Sequence, residues 1–195
     1  MTDILFTLIG AGRAHASSHD GKKLVEYYLK RKHGITSPVF LSRPRGKPYI
    51  EGAPCFNVSH SKRLVCAAFS DSEVGIDVEY VRDVNIAGIS RRFSSAERDF
   101  IEKSADPKAA FFYVWTRKEA FLKARGSGFF CDTSLFDCTQ NFVSENSGAV
   151  PRAWYITSFN IREGYAAAFC AAQQAAENFT LREVRASDII SVYAG

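Results

Sequence analysis

Strand, helix, then a run of strands: this order occurs twice along the 195 residues and predicts an α+β fold of two similar halves. Two further observations support it. Hydrophobic residues make up 46% of the chain, which is enough to bury a core at this length. No low-complexity stretch separates the halves, so they are expected to pack together rather than hang on a linker. The boundary is set at residue 72, giving halves 1–72 and 73–195, although no residue-level repeat is visible.

Residues 3–9 read as the first strand. Ser17 or Ser18 caps a helix that runs to about His33, with Leu24, Tyr27, Tyr28 and Leu29 at helical spacing and Gly34 as the stop. Val39 to Leu41 is a short strand, and Pro44, Gly46 and Pro48 mark a loop. Apolar runs at 55–58, 64–69 and 74–80 form a meander. In the second half, Ser94 or Ser95 opens a helix with Glu97 or Arg98 in its first turn. Asp106-Pro107 opens another, which reaches Lys123 or Ala124 and stops at Gly126. Strands are expected near 134–138, 153–159, 165–171, 180–185 and 188–193. Phe111-Phe112 and Phe129-Phe130 read as core pairs or as a docking patch.

The formal net charge of +4 suits an anionic ligand or an acidic partner and is too weak to argue for nucleic acid. Lys30-Arg31-Lys32 reads as a solvated helix end. The five cysteines are odd in number and contain no C-x-x-C pair. Cys66 and Cys170 sit in apolar runs as free buried thiols, so a reducing compartment, the cytoplasm, is expected. No Lys or Arg precedes the apolar run Ile4 to Ile9, which argues for a strand over a signal peptide. No segment approaches the roughly 18 to 20 apolar residues of a membrane span.

Four stretches could carry chemistry. In VGIDVEY, residues 74–80, the period of two puts Asp77 and Glu79 on one face, with Cβ atoms roughly 7 Å apart. They are the wet side of a sheet, or they reach one hard cation such as Mg²⁺. In WTRKEAFLKARGSG, residues 115–128, Trp115, Glu119 and Lys123 share one helical stripe. This is a surface ion pair worth about 0.3–0.5 kcal/mol, or a metal ligand or base followed by a lysine that neutralises phosphate. Gly126 and Gly128 end the helix and admit a close ligand. CFNVSHS, residues 55–61, ends in Asn57, Ser59, His60 and Ser61, whose hydroxyls and imidazole serve a turn or a phosphate. RGKPY places Lys47 in a turn, solvated or facing an anion.

GKP, FNVSHS, GIDVE, RFSSAE and WTRKEAFLKARGSG occur in this order over roughly residues 45–128. The set resembles the 4′-phosphopantetheinyl transferases of the larger, single-chain, surfactin-synthetase-activating type. Their pattern includes GKP, F-N-x-S-H-S, G-x-D-x-E, F-x-x-x-E and W-x-x-K-E-x-x-x-K-x-x-G. The resemblance implies two pseudo-symmetric halves, each a small antiparallel sheet packed with a long helix, with the active site between them. It implies transfer of the phosphopantetheine arm of coenzyme A to a serine of an acyl, peptidyl or polyketide carrier protein, with Mg²⁺ and release of 3′,5′-ADP. Neither nucleic acid nor membrane is an expected partner, and a monomer is expected. The metal ligands implied are Asp77, Glu119 and, directly or through water, Glu79. Glu119 is also the base for the carrier serine, and Lys123 binds the pyrophosphate and assists the leaving group. Ser59 and His60 would contact the nucleotide phosphates, with Lys47 and Lys118 at the nucleotide; Glu97 matches a further family glutamate. Larger members carry an extra basic helical stretch before the first long helix. Here Arg13, backed by Lys22 and Lys23, is expected to replace its grip on the 3′-phosphate. Two rival classes share these residues: another metal-dependent phosphotransfer enzyme or phosphohydrolase, and a non-catalytic binder of coenzyme A or carrier protein.

Overall fold

The computed structural model describes residues 1–10, 12–126, 132–145, 152–172 and 178–191. Strand β1 (Thr2–Leu8) leads to helix α1 (Ser18–His33). The Asp20 carboxylate accepts from the Ser17 backbone N–H and hydroxyl, both at 2.8 Å, and fixes the start of α1. Gly34, at φ 70, ends it. Next come a ribbon of β2 (Leu41–Ser42) and β3 (Pro48–Tyr49), then β4 (Cys55–Ser61), β5 (Leu64–Ser70) and β6 (Val74–Tyr80). Helix α2 (Ile86–Ile89) and a 3-10 turn precede α3 (Ser95–Glu102) and α4 (Pro107–Arg125). The chain continues with β7 (Phe142–Glu145), β8 (Arg152–Ser158), β9 (Tyr165–Ala171), β10 (Phe179–Glu183) and α5 (Ala186–Ser191).

Two four-stranded sheets form, in the orders β10-β1-β5-β4 and β6-β9-β8-β7. Alternation along the strands sorts the side chains into layers. Leu5, Val65, Ala67 and Phe69 face Leu24, Val25, Tyr28 and Leu29 of α1. Their neighbours Ile4, Phe6, Leu64, Cys66 and Ala68 face Val74, Ile76, Val78 and Phe169 of the second sheet. On the far side of that sheet, Phe121 and Leu122 of α4 pack with Trp154, Ile156 and Cys170. The order of layers is therefore helix, sheet, sheet, helix, as expected of an α+β fold with one long helix per half.

Four expectations need correction. The first sheet is not wholly antiparallel, because β10 joins β1 in parallel, Ile4 opposite Leu181. The segment expected as a strand at 134–138 includes a 3-10 turn, Thr133–Leu135. Its polar backbone is satisfied elsewhere: the Thr133 and Phe136 carbonyls accept from Lys118, and the Cys138 N–H donates to Glu97. Residues 188–193 were expected as a strand, but 186–191 are α5, with Ile189 buried and Ile190 exposed. The strand expected at Val39 to Leu41 forms at Leu41–Ser42. Strand β7 had no expectation of its own. Phe111 and Phe112 are core residues, whereas Phe129-Phe130, Gly128 and Cys131 lie outside the described residues. Cys55, Cys66, Cys138 and Cys170 are free thiols. Among the described residues no helix is long and apolar enough to cross a membrane.

Asp3 ties the first sheet together. It accepts from Tyr28 Oη at 2.7 Å, Lys32 Nζ at 2.6 Å and Thr180 Oγ1 at 2.7 Å. Burial alone would raise this carboxyl, but the bonds from Lys32, Thr180 and Tyr28 outweigh it and hold the pKa at about 2. The folded state thus gains stability from the ionised carboxylate above the unfolded value near 3.8, and loses it as the pH falls toward 2. Asp3→Asn is expected to cost about 1–3 kcal/mol at pH 7. Denaturant melts should show the gap between variant and parent closing between pH 4 and 2.

Candidate active site

Val74, Ile76 and Val78 turn toward the first sheet, so Gly75, Asp77 and Glu79 occupy the opposite face of β6. Helix α4 lands on that face. Gly75 admits it: a Cβ there would overlap the Ala120 carbonyl oxygen and the Ala124 nitrogen, and lie 2.9 Å from Ala124 Cα. This backbone-on-backbone approach puts Glu119 and Lys123, one turn apart, beside Asp77. Together with Val58, Ser59, His60, Glu79 and Trp115 they line a cleft of about 260 Å³. Gly75→Ala is expected to cost about 1–3 kcal/mol by overpacking and to lower activity more than stability predicts, because α4 must retreat with both residues. Denaturation together with steady-state rates would check this; an unchanged variant would mean that α4 does not rest on β6.

Asp77 is only 4% exposed. Its Oδ1 accepts from Lys123 Nζ at 2.6 Å and from Ser59 Oγ at 2.9 Å, while its Oδ2 is buried without a partner. Glu79 Oε2 accepts from Ser61 Oγ at 2.9 Å and Arg82 Nη1 at 3.0 Å. Burial, and then the neighbouring Asp77 charge, lift the Glu119 carboxyl to about 7; Lys123 opposes this and Glu79 adds to it. Burial disfavours the Lys123 charge, but Asp77 and Glu119 more than compensate, so its ammonium is held above its ordinary range.

The cleft thus gathers carboxylates that repel one another and one carboxylate oxygen without a partner, a donor set suited to a hard cation. Asp77, Glu79 and Glu119 are the residues that could hold it. Among the described residues no three such side chains are already gathered closely enough to ligate an ion. As the chain stands, Lys123 supplies the opposing charge.

The remaining expected site residues divide. His60 is exposed at the rim of the cleft. Ser59 lines it, but its single hydroxyl hydrogen is committed to Asp77 while its oxygen accepts from Lys123 and the Val78 N–H, so none is left for a phosphate. Lys47 borders an adjoining cavity of about 240 Å³ with exposed Arg45, yet its ammonium is turned into the protein. It donates to Glu73 Oε2 at 2.6 Å, the Ala124 carbonyl at 2.8 Å and the Val74 carbonyl at 3.0 Å. Lys118, expected at the nucleotide, is held by partners within the protein and lines the cavity beyond Trp115. Its buried ammonium pairs at 2.9 Å with fully buried Glu97 and bonds the Thr133 and Phe136 carbonyls. Glu97 also accepts from the Ser94 N–H, closing a capping box on α3. Arg13 is not brought to the cleft; it grips Asp20 with two bonds of 2.7 and 2.8 Å and borders a separate cavity beside α5. Asn57 and Ser61, expected with Ser59 and His60 to serve a turn or a phosphate, share the β4 face of Ser59 by the same period of two and bond to β6.

A third cavity, about 240 Å³ and largely apolar, lies beyond Trp115 and is lined by Ile89, Phe93, Leu122 and Glu119 among others. Among the described residues, Glu119 is the one common to all three of these cavities.

A family model described as the 4′-phosphopantetheinyl transferase superfamily matches residues 73–170. The chain is 33% identical to the 4′-phosphopantetheinyl transferase Sfp of Bacillus subtilis (strain 168) over 161 residues, covering 78% of this chain and 72% of that protein. It is 26% identical to the 4′-phosphopantetheinyl transferase gsp of Aneurinibacillus migulanus over 181 residues, covering 89% and 76%. Among solved structures, the Thermotoga maritima holo-[acyl-carrier-protein] synthase aligns with a TM-score of 0.38 and 18% identity, over 52% of this chain and 63% of that one.

Proposed function

Since the chain belongs to the 4′-phosphopantetheinyl transferase superfamily and is an enzyme of that type, we propose that it moves the phosphopantetheine arm of coenzyme A to a serine of an acyl, peptidyl or polyketide carrier protein. The reading includes Mg²⁺, release of 3′,5′-ADP, and a site between halves 1–72 and 73–195, with β10 lent by the second half to the first sheet. A monomer working in the cytoplasm completes it.

The observation that carries this reading is the convergence of three cavities on Glu119. A transferase must bring a nucleotide, a flexible arm and an incoming hydroxyl to one point. The serine oxygen bonds to the phosphorus that bears the arm, the bond to the leaving 3′,5′-ADP oxygen breaks, and the serine proton passes to Glu119. Glu119, at the meeting point of the three cavities, is the carboxylate placed to take that proton. Lys123, kept protonated by Asp77, faces the charge that grows on the leaving oxygen. Asp77, Glu79 and Glu119 would hold Mg²⁺, which when bound neutralises pyrophosphate charge. His60, at the rim, is the residue of its stretch free to meet the nucleotide phosphates.

Incubating the chain with coenzyme A, Mg²⁺ and apo carrier proteins of the fatty-acid, peptide and polyketide types, then weighing the intact carriers, tests the reading. A phosphopantetheine mass gain on at least one is expected, and none on any would sink it. Consumption of coenzyme A without carrier would favour a hydrolase.

A further inference from the structure

Strand β6 is an edge strand of the second sheet, and β4 is an edge strand of the first. An edge normally leaves a row of backbone groups unpaired. On β6 they are met by side chains. The N–H groups of Ile76, Val78 and Tyr80 donate to Asn57 Oδ1 at 2.9 Å, Ser59 Oγ at 3.3 Å and Ser61 Oγ at 3.0 Å. Both rows have a period of two, so a slip of one residue in β4 would present Val58 and His60 instead. Carbonyls on β6 are met in the same manner, Val74 by Lys47 at 3.0 Å and Ile76 by Lys123 at 3.3 Å.

Each of the two serines also bonds an acid of β6. Ser59 Oγ donates to Asp77 Oδ1 and Ser61 Oγ to Glu79 Oε2, both at 2.9 Å. Each hydroxyl is therefore anchored by the N–H that follows an acid and spends its one hydrogen on that acid's carboxylate. Without Ser61, Glu79 keeps, among the described residues, only its bond to Arg82, whose side chain is about half exposed.

We propose that Asn57, Ser59 and Ser61 form a side-chain ladder that welds the two sheets edge to edge, and that Ser61 is a positioning residue which aims Glu79 for cation binding. The second part rests on the reading of Asp77, Glu79 and Glu119 as a divalent-cation site; the ladder itself does not.

The test uses the full chain in three forms, parent, Ser61→Ala and Ser61→Thr, with Asp77→Asn as a control for the metal. Amide hydrogen exchange followed by NMR reads the ladder. Ser61→Ala should speed exchange at Tyr80 by about tenfold or more while Ile76 keeps its protection, and Ser61→Thr, which retains the hydroxyl, should restore Tyr80. Titration with Mn²⁺ followed by electron paramagnetic resonance reads the aim of Glu79. Ser61→Ala should weaken Mn²⁺ binding by about 10-fold and Ser61→Thr should recover it. Unchanged exchange at Tyr80 in Ser61→Ala overturns the ladder. Faster exchange with unaltered Mn²⁺ binding, where Asp77→Asn abolishes binding, overturns the positioning role. A parent chain that binds no Mn²⁺ overturns the cation reading and the positioning role with it, while exchange still decides the ladder.

Discussion

Glutamine at position 119 is expected to silence transfer and, above pH 7, to make the protein harder to unfold. The two effects have one origin. Glu119 is largely buried beside Asp77, which lifts its carboxyl from an ordinary value near 4.5 to about 7. The folded chain therefore holds this proton more tightly than the unfolded chain does. Stability contributed by the protonated carboxyl is fully present below about pH 4.5 and is lost as the pH rises through 7. Glutamine carries no such charge, so at pH 8 the variant should gain about 1–3 kcal/mol over the parent, with no gain at pH 4. Transfer should meanwhile fall by about 10²- to 10⁴-fold with the loss of the base. Denaturant melts at the two pH values and a carrier-loading assay check both halves. Mg²⁺ should raise the melting temperature of the parent more than that of the variant. A variant that lost stability along with activity would show that Glu119 is a structural residue.

Asp77 and Lys123 should behave in the opposite sense. The sequence alone suggests that Asp77→Ala would spare folding, because the acid faces an open cleft. In the structure Asp77 is almost wholly buried and its Oδ1 is 2.6 Å from Lys123 Nζ. Lys123→Ala leaves the buried Asp77 charge unpaired, at a cost of about 3–5 kcal/mol, whereas Asp77→Ala leaves a partly exposed Lys123 with Glu119 still beside it and should cost less. Asp77→Ala and Lys123→Ala should each be destabilising, and the double variant should cost less than the two combined, with a coupling of about 1–3 kcal/mol. Strict additivity in a denaturation cycle would mean that the pair does not interact. All three should be inactive, so in these variants activity is uninformative and the stability cycle carries the result.

Local signals made much of the fold legible. Ser17 with Gly34, and Asp106-Pro107 with Gly126, bracket the two long helices because caps act within a few residues. Alternation found β6 and β9 at their true bounds. The same periods placed Asp77 with Glu79, and Glu119 with Lys123, on faces that the fold then opposes. What stayed hidden depends on distant partners. Lys118 lies next to Glu119 in sequence but about 100° around the helix, where buried Glu97 and the Thr133 and Phe136 carbonyls decide its fate. Lys47 and Ser59 look free to meet a phosphate until their donors are counted against Glu73, Val74, Ala124 and Asp77. The turn at 133–135 replaces a strand because the Thr133 carbonyl, and that of Phe136 just after it, serve Lys118.

The parallel pairing of β10 with β1 has a consequence for how the chain matures. The Thr180 hydroxyl reaches Asp3 across 177 positions of sequence, and Phe6 waits opposite Glu183. During synthesis the opening strand emerges first but keeps a bare flank until the closing strand has left the ribosome. Such late, distant pairing slows folding and prolongs the exposure of sticky edges. The two halves therefore cannot mature in the order in which they are made. A nonsense mutation shortly before residue 179 would leave β1 without its parallel neighbour.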